Sequence, residues 1–276
     1  MNSLINGDVK KRLFLGCFFM VITNITFYTL INFMSIEQVQ KGYVTFVLDD
    51  GTLNQFEEIY PMFSERNLTA TWPIIISKVD SDDGYAGYES IAKVFEDKPG
   101  WEIVSHTVNH PKLSELELSD IEKELKYSKD ALMDFNTNFL VYPYYNYDEN
   151  VIEVAKKYYR AAFAGSLDDN NEPRGNSGST NINNINYKDY LNYKDNKYLI
   201  KRVTITSGGK IPHSRGEEAD WRKLINVANE TGGWLVFCIH DVNEESKAKL
   251  QSLLDYIVEN KIRVISTEEA LELFLI

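Results

Sequence analysis

Tyr43-Val44-Thr45-Phe46-Val47-Leu48-Asp49-Asp50-Gly51-Thr52 is the stretch from which the rest of the chain is read. Its first six residues are mostly β-branched or aromatic and predict a strand. The strand ends abruptly on two adjacent carboxylates and a glycine. In an α/β barrel, polar groups gather at such carboxyl-terminal strand ends.

Outward from this strand, apolar runs alternate with helical patterns. A helix is predicted over Leu53–Arg66, a strand over Leu68–Ile76, a short helix over Tyr88–Asp97 and a strand over Trp101–Ser105. Ser119 and Glu122 have the spacing of a capping box, opening a helix that runs to about Phe135. Then follow a strand over Phe139–Tyr142, a helix over Glu149–Tyr159 and a strand over Ala161–Ala164. Asp168–Asn196 turns to Asn, Gly, Ser, Asp and Tyr without apolar period and reads as a long surface loop. Its Tyr187, Tyr190 and Tyr193 could stack on sugar rings or pin the loop to the body. The alternation resumes with strands over Tyr198–Ile205, Trp234–Ile239 and Arg263–Ile265, and helices over Trp221–Asn229, Glu244–Glu259 and Thr267–Leu273. It predicts a parallel sheet closed or nearly closed into a distorted (β/α) barrel, with no internal repeat.

The 276 residues suit one large α/β domain. With 41 acidic against 29 basic residues, the net charge of -12 argues against a nucleic-acid partner, which would require a basic face. Cys17 and Cys238 lie in separate apolar segments and are not expected to pair. Leu13–Met34 is long enough to cross a bilayer, which needs about 20 mainly apolar residues, although Asn24 and Asn32 weaken it. Lys10, Lys11 and Arg12 precede it and Glu37 follows, which predicts a cytoplasmic 1–12 segment, an uncleaved anchor over 13–34 and an extracellular domain over 41–276. A buried amphipathic amino-terminal helix is the alternative. Leu15-Gly16-Cys17 precedes the apolar core rather than following it, which excludes a lipid-attachment box.

Three of the four histidines also stand at or just past apolar runs, in Ser105-His106-Thr107-Val108-Asn109-His110-Pro111 and in Leu235-Val236-Phe237-Cys238-Ile239-His240-Asp241. His106 and His110, four apart, could share a helical face, but Pro111 and the preceding strand place them on a strand-to-helix loop. A hydrolytic metal site uses three protein ligands and one open position, and carboxylates with imidazoles supply that chemistry. Alternation along the strand would point Asp49 and Asp50 to opposite sides and so give them different tasks. His240 reads either as a satisfied core histidine or as an acid–base group. His213 matches no motif.

Asp49-Asp50-Gly51, the paired histidines before Pro111 and the late Ile239-His240-Asp241 together resemble the polysaccharide deacetylase (NodB-homology) family of carbohydrate esterases, over roughly Lys41–Ile276. The resemblance implies Asp50, His106 and His110 as ligands of a divalent metal, Zn²⁺ foremost. It also implies Asp49 as general base, His240 as the acid that protonates the departing amine, and the Tyr144 amide as an oxyanion donor. The activity implied is removal of N-acetyl groups from a hexosamine-containing surface polysaccharide, with release of acetate.

The chain departs from the family at Val141-Tyr142-Pro143-Tyr144-Tyr145, where Arg-Pro-Pro-Tyr-Gly is usual. Asp49 thereby loses its usual arginine partner, and Arg202, on a predicted strand, is the candidate replacement. Cys238 stands where an aliphatic residue lines the acetyl pocket, and packs there as a small hydrophobe. These departures motivate a rival reading, a weakened barrel that only binds glycan. An O-acetyl esterase would use the same machinery.

Overall fold

The computed structural model describes residues 42–81, 84–165, 191–192, 196–205 and 219–274. The predicted anchor over 13–34, Cys17, the three loop tyrosines and His213 lie outside the described residues. Among those described, no helix is long and apolar enough to cross a membrane.

Among the described residues, nine strands form one sheet: β1 (Tyr43–Leu48), β2 (Thr71–Ile74), β3 (Glu102–Ser105), β4 (Phe139–Val141), β5 (Ala161–Phe163), β6 (Leu191–Asn192), β7 (Val203–Ile205), β8 (Trp234–Ile239) and β9 (Arg263–Val264). The order β5-β4-β3-β2-β1-β8 is parallel throughout, with β7 parallel and β6 antiparallel to β8. The longest ladder joins β1 to β8, from Tyr43↔Trp234 to Leu48↔Ile239. Among the described residues, the far side is closed by the bridge Phe163↔Ile200, with Ala162 N–H donating to the Lys197 carbonyl and Ala164 N–H to that of Ile200, so the architecture is an α/β half-barrel closed there by a short irregular segment. The helices are α1 (Tyr60–Glu65), α2 (Tyr88–Glu96), α3 (Leu118–Ala131), α4 (Glu149–Tyr158), α5 (Ala219–Thr231), α6 (Glu244–Glu259) and α7 (Thr267–Phe274).

Strand alternation divides the core. Val44, Phe46 and Leu48 of β1, with Leu235, Phe237 and Ile239 of β8, pack outward against Phe63, Trp72 and the covering helices. Val47 and Val236 turn to the opposite face, with Val104, Val141, Phe163 and Trp234. Each fully buried side chain of this size is worth about 1.5–3 kcal/mol. Because β1 ends at Leu48, the odd-numbered face carries Thr45 and Val47 up to Asp49.

Several elements depart from expectation. The predicted helix over Leu53–Arg66 contains a wide turn at Gln55–Ile59 before α1, where Pro61 removes an N–H from the ladder. The capping box does not form. α3 starts after Glu117, so Ser119 already lies inside the helix, and no side chain caps its first turn. Glu122 instead accepts from Lys157 at 2.8 Å and from the Tyr158 hydroxyl. β6 adds a short strand within the predicted loop. Of the strand expected over Tyr198–Ile205 only Val203–Ile205 forms, preceded by a turn and an isolated bridge at Ile200, and the Lys201 N–H and C=O pair with the Asn192 side-chain amide at 2.8 and 2.9 Å. That amide substitutes for a ladder partner just before Arg202.

Candidate active site

The loops after β1, β3, β4 and β8 meet at the carboxyl-terminal rim of the sheet. The β1 loop is fixed from below. Asp49 N–H donates to Ile239 C=O at 2.9 Å, continuing the β1–β8 ladder, and the buried Gln55 amide donates to the Asp49 carbonyl at 2.5 Å. Gln55 in turn accepts from the Trp72 indole at 2.7 Å. Asp50 (φ 86°) and Gly51 (φ 72°) then leave the extended conformation. The positive φ at Gly51 favours glycine, and a Cβ there would in addition press on the Ile74 Cδ1 at 2.9 Å. Asp49 and Asp50 therefore diverge by a left-handed turn, not by the continued strand alternation expected from the sequence.

Asp50 meets both loop histidines. Its Oδ1 lies 3.5 Å from His106 Nε2 and 3.4 Å from His110 Nε2, and the two Nε2 atoms are 3.1 Å apart. The His106 Nδ1 lies 2.8 Å from the Val141 carbonyl, an acceptor, so Nδ1 carries the hydrogen and Nε2 offers its lone pair to the cluster. Burial, then the neighbouring His106, pushes His110 down to about 4, against the opposing pull of Asp50. The ring is thus neutral at ordinary pH. For Asp50, burial acts to raise the carboxyl, but the neighbouring His106, His240 and His110 hold it below its usual range. Three donors around one ion at about 2.1 Å in tetrahedral directions are separated by about 3.4 Å. The three distances here match that spacing, so the residues fit a divalent cation.

The histidine loop is built for this. Thr107 (φ 68°) and His110 (φ 59°) are left-handed, and His110 N–H donates to Thr107 Oγ1 at 2.9 Å. Glu124 on α3 accepts from the Val108 and Asn109 N–H groups, both at 2.9 Å. Sequence reasoning missed Glu124 and Gln55, because their backbone and side-chain partners lie on other elements and no motif records them.

Asp49 belongs to a second cluster. It is 3% exposed, and Arg202, 1% exposed, places Nη1 at 2.6 and 2.8 Å from its two carboxylate oxygens. Burial acts to lower the Arg202 guanidinium, but Asp49, Cys238 and Tyr145 together outweigh it and raise its pKa. Cys238 is a free buried thiol that donates to Asp49 Oδ2 at 3.4 Å. Burial first and Asp49 next push it up to about 12. The ligating atoms of Asp49, Cys238 and His240 lie within 4.8 Å of one another, with His240 exposed. Beyond His240, the Asp241 carboxylate accepts from the Thr52 hydroxyl, and Asn54 brackets Val242 at 2.8 and 3.1 Å. These contacts tie the β8 loop to the β1 loop.

Tyr144 is 56% exposed, left-handed at φ 57°, with its ring centroid 4.5 Å from that of His110. All eight residues singled out from the sequence, Asp49, Asp50, His106, His110, Tyr144, Arg202, Cys238 and His240, therefore lie at one end of the sheet, in two adjoining clusters.

Comparison with known proteins gives the same direction. The sequence model described as Polysaccharide deacetylase matches residues 37–162. No curated protein matches. Among solved structures, peptidoglycan deacetylase PdaC from Bacillus subtilis is 13% identical, with a TM-score of 0.51 over 84% of this chain and 91% of its own. A family 4 carbohydrate esterase from Streptomyces lividans, in complex with acetate, is 13% identical, with a TM-score of 0.50 over 81% and 91%. The deacetylase PplD from Streptococcus pyogenes is 22% identical at a TM-score of 0.42, where this chain covers 44% of itself and 55% of that protein. At these identities PdaC and the Streptomyces lividans esterase bear on the fold alone.

Proposed function

We propose, from the premise that the chain belongs over residues 37–162 to the polysaccharide deacetylase family, that it is a metal-dependent hydrolase removing N-acetyl groups from a hexosamine-containing cell-surface polysaccharide. The observation that carries this reading is the adjacency of two clusters with different chemistry: Asp50, His106 and His110 at cation spacing, and Asp49 held by Arg202 beside them. Asp50, His106 and His110 would hold the metal, Zn²⁺ by their donor set, which supplies Lewis-acid activation of water and of the acetyl carbonyl.

The remaining chemistry belongs to this chain's own side chains. Asp49 is the general base, with Arg202 fixing the direction of its carboxylate, the task left open by Val141 in the arginine position. The Tyr144 ring lies beside His110, and the Tyr144 backbone N–H serves the developing oxyanion. His240, at the exposed rim, protonates the departing amine. Cys238, buried against Asp49, bounds the acetyl pocket, and Arg202 shapes the same floor. Acetate and a free amino sugar leave.

Acetate release from peptidoglycan, poly-N-acetylglucosamine and chito-oligosaccharide by the full chain, with and without Zn²⁺, tests the reading. Glycan binding without acetate would replace it with the weakened-barrel alternative. Acetate from O-acetylated substrates alone would make the protein an esterase. We further propose a single-pass membrane protein with its hydrolase domain outside the cell, on the basic cluster before 13–34. Protease added to wall-stripped cells should digest that domain, and recovery of the full chain in the soluble fraction would refute the placement.

A further inference from the structure

Tyr145 lies against the pair that joins Arg202 to Asp49. The Arg202 guanidinium carbon stands 5.1 Å from the Tyr145 ring centroid. Arg202 Nε donates to the Ala164 carbonyl at 3.0 Å and Nη1 serves both Asp49 oxygens, but the buried Nη2 has no hydrogen-bond acceptor among the described residues. A buried guanidinium with one nitrogen unmatched is costly, and an aromatic face offers it electron density without a formal charge. Tyr145 supplies that face.

The ring is itself held on several sides. Its hydroxyl lies 2.6 Å from Thr204 Oγ1 and 3.7 Å from Cys238 Sγ. A Cβ at position 165 would stand 2.8 Å from the ring, so Gly165 leaves the space the ring fills. The backbone at Tyr145 adopts φ 56°, a conformation that side chains rarely accept. A bulky residue thus occupies a position suited to glycine, and the surroundings are shaped to it.

We propose that Tyr145 is a positioning residue that fixes Arg202, and through it the Asp49 carboxylate, by presenting its ring face to the guanidinium. This rests on the deacetylase reading and adds a residue that the motif pattern would count only as a departure. The arginine missing at Val141 is replaced by a unit of two residues, Arg202 and Tyr145.

The test compares Tyr145→Leu, which removes the ring, with Tyr145→Phe, which keeps it, each alone and combined with Arg202→Ala. Tyr145→Leu should lower kcat about tenfold or more with KM and metal content within about twofold of the parent, whereas Tyr145→Phe, which keeps the ring and releases only its hydroxyl anchor, should lower kcat only about threefold. In the Arg202→Ala background, Tyr145→Leu should add less than about a twofold loss. An unimpaired kcat, equal losses in the two variants, or losses that multiply in the double variant would each overturn the proposal. If Tyr145→Leu gives no cooperative melt, Tyr145→Phe and Thr204→Val carry the test. Both release the hydroxyl anchor, so each should lower kcat by about threefold in the parent and leave it unchanged with Arg202→Ala; any other pattern overturns the proposal. Absence of acetate from the parent on every glycan overturns the deacetylase reading and the proposal together. Acetate from the parent with an unimpaired Tyr145→Leu overturns the proposal alone.

Discussion

Arg202→Ala should be among the most damaging single changes in the barrel, and its cost can be worked from the geometry. Arg202 and Asp49 are 1% and 3% exposed and joined at 2.6 and 2.8 Å. Removing the guanidinium leaves a buried carboxylate whose remaining side-chain donor is the weak Cys238 thiol at 3.4 Å. Breaking a buried pair from one side costs about 3–5 kcal/mol, since the surviving charge has neither water nor partner. In a domain of this size each kcal/mol moves Tm by about 2–4 °C, so a fall of roughly 6–20 °C is expected. Adding Asp49→Asn to Arg202→Ala neutralises the orphaned charge and should return part of that loss, so the double variant is more stable than the sum of the single ones implies. Calorimetry or urea unfolding on the four proteins measures the cycle. A Tm for Arg202→Ala within about 2 °C of the parent, or strict additivity, would refute the reasoning.

The two adjacent acids should separate cleanly. Asp49→Asn keeps the metal and loses at least about 10²-fold in rate, whereas Asp50→Asn loses much of the metal affinity, as elemental analysis with acetate release would read. The reverse pattern would exchange their roles. Cys238, pushed up to about 12 by burial and Asp49, should resist a thiol reagent near about pH 8 in folded Cys17→Ser protein and react on unfolding. Stoichiometric labelling of the native protein would contradict its burial.

The sequence by itself determined most elements of the sheet and the residues of the rim. β1, β8 and α6 fall on their expected residues because each is a sustained apolar or amphipathic period bounded by turn residues, a local signal that packing reinforces. Asp49, Asp50, His106, His110 and His240 were legible because they stand at strand ends in short motifs. Chain-distant complementarity was legible only through the family resemblance, which left Asp49 short of an arginine and pointed to Arg202 as the candidate replacement. Arg202 is 153 residues from Asp49, and only the ring of strands brings them together, with the Asn192 amide fixing the backbone beside it. Tyr145 looked like a lost glycine until Gly165, Thr204 and the guanidinium were seen around it. The Ser119 and Glu122 spacing misled for the same reason: a local cap competes with partners on another helix, and Lys157 and Tyr158 were the ones within reach. Periodicity and turn chemistry act over a few residues and are written in the sequence. Which buried charge meets which partner depends on contacts between distant segments, and these exist only once the barrel has formed.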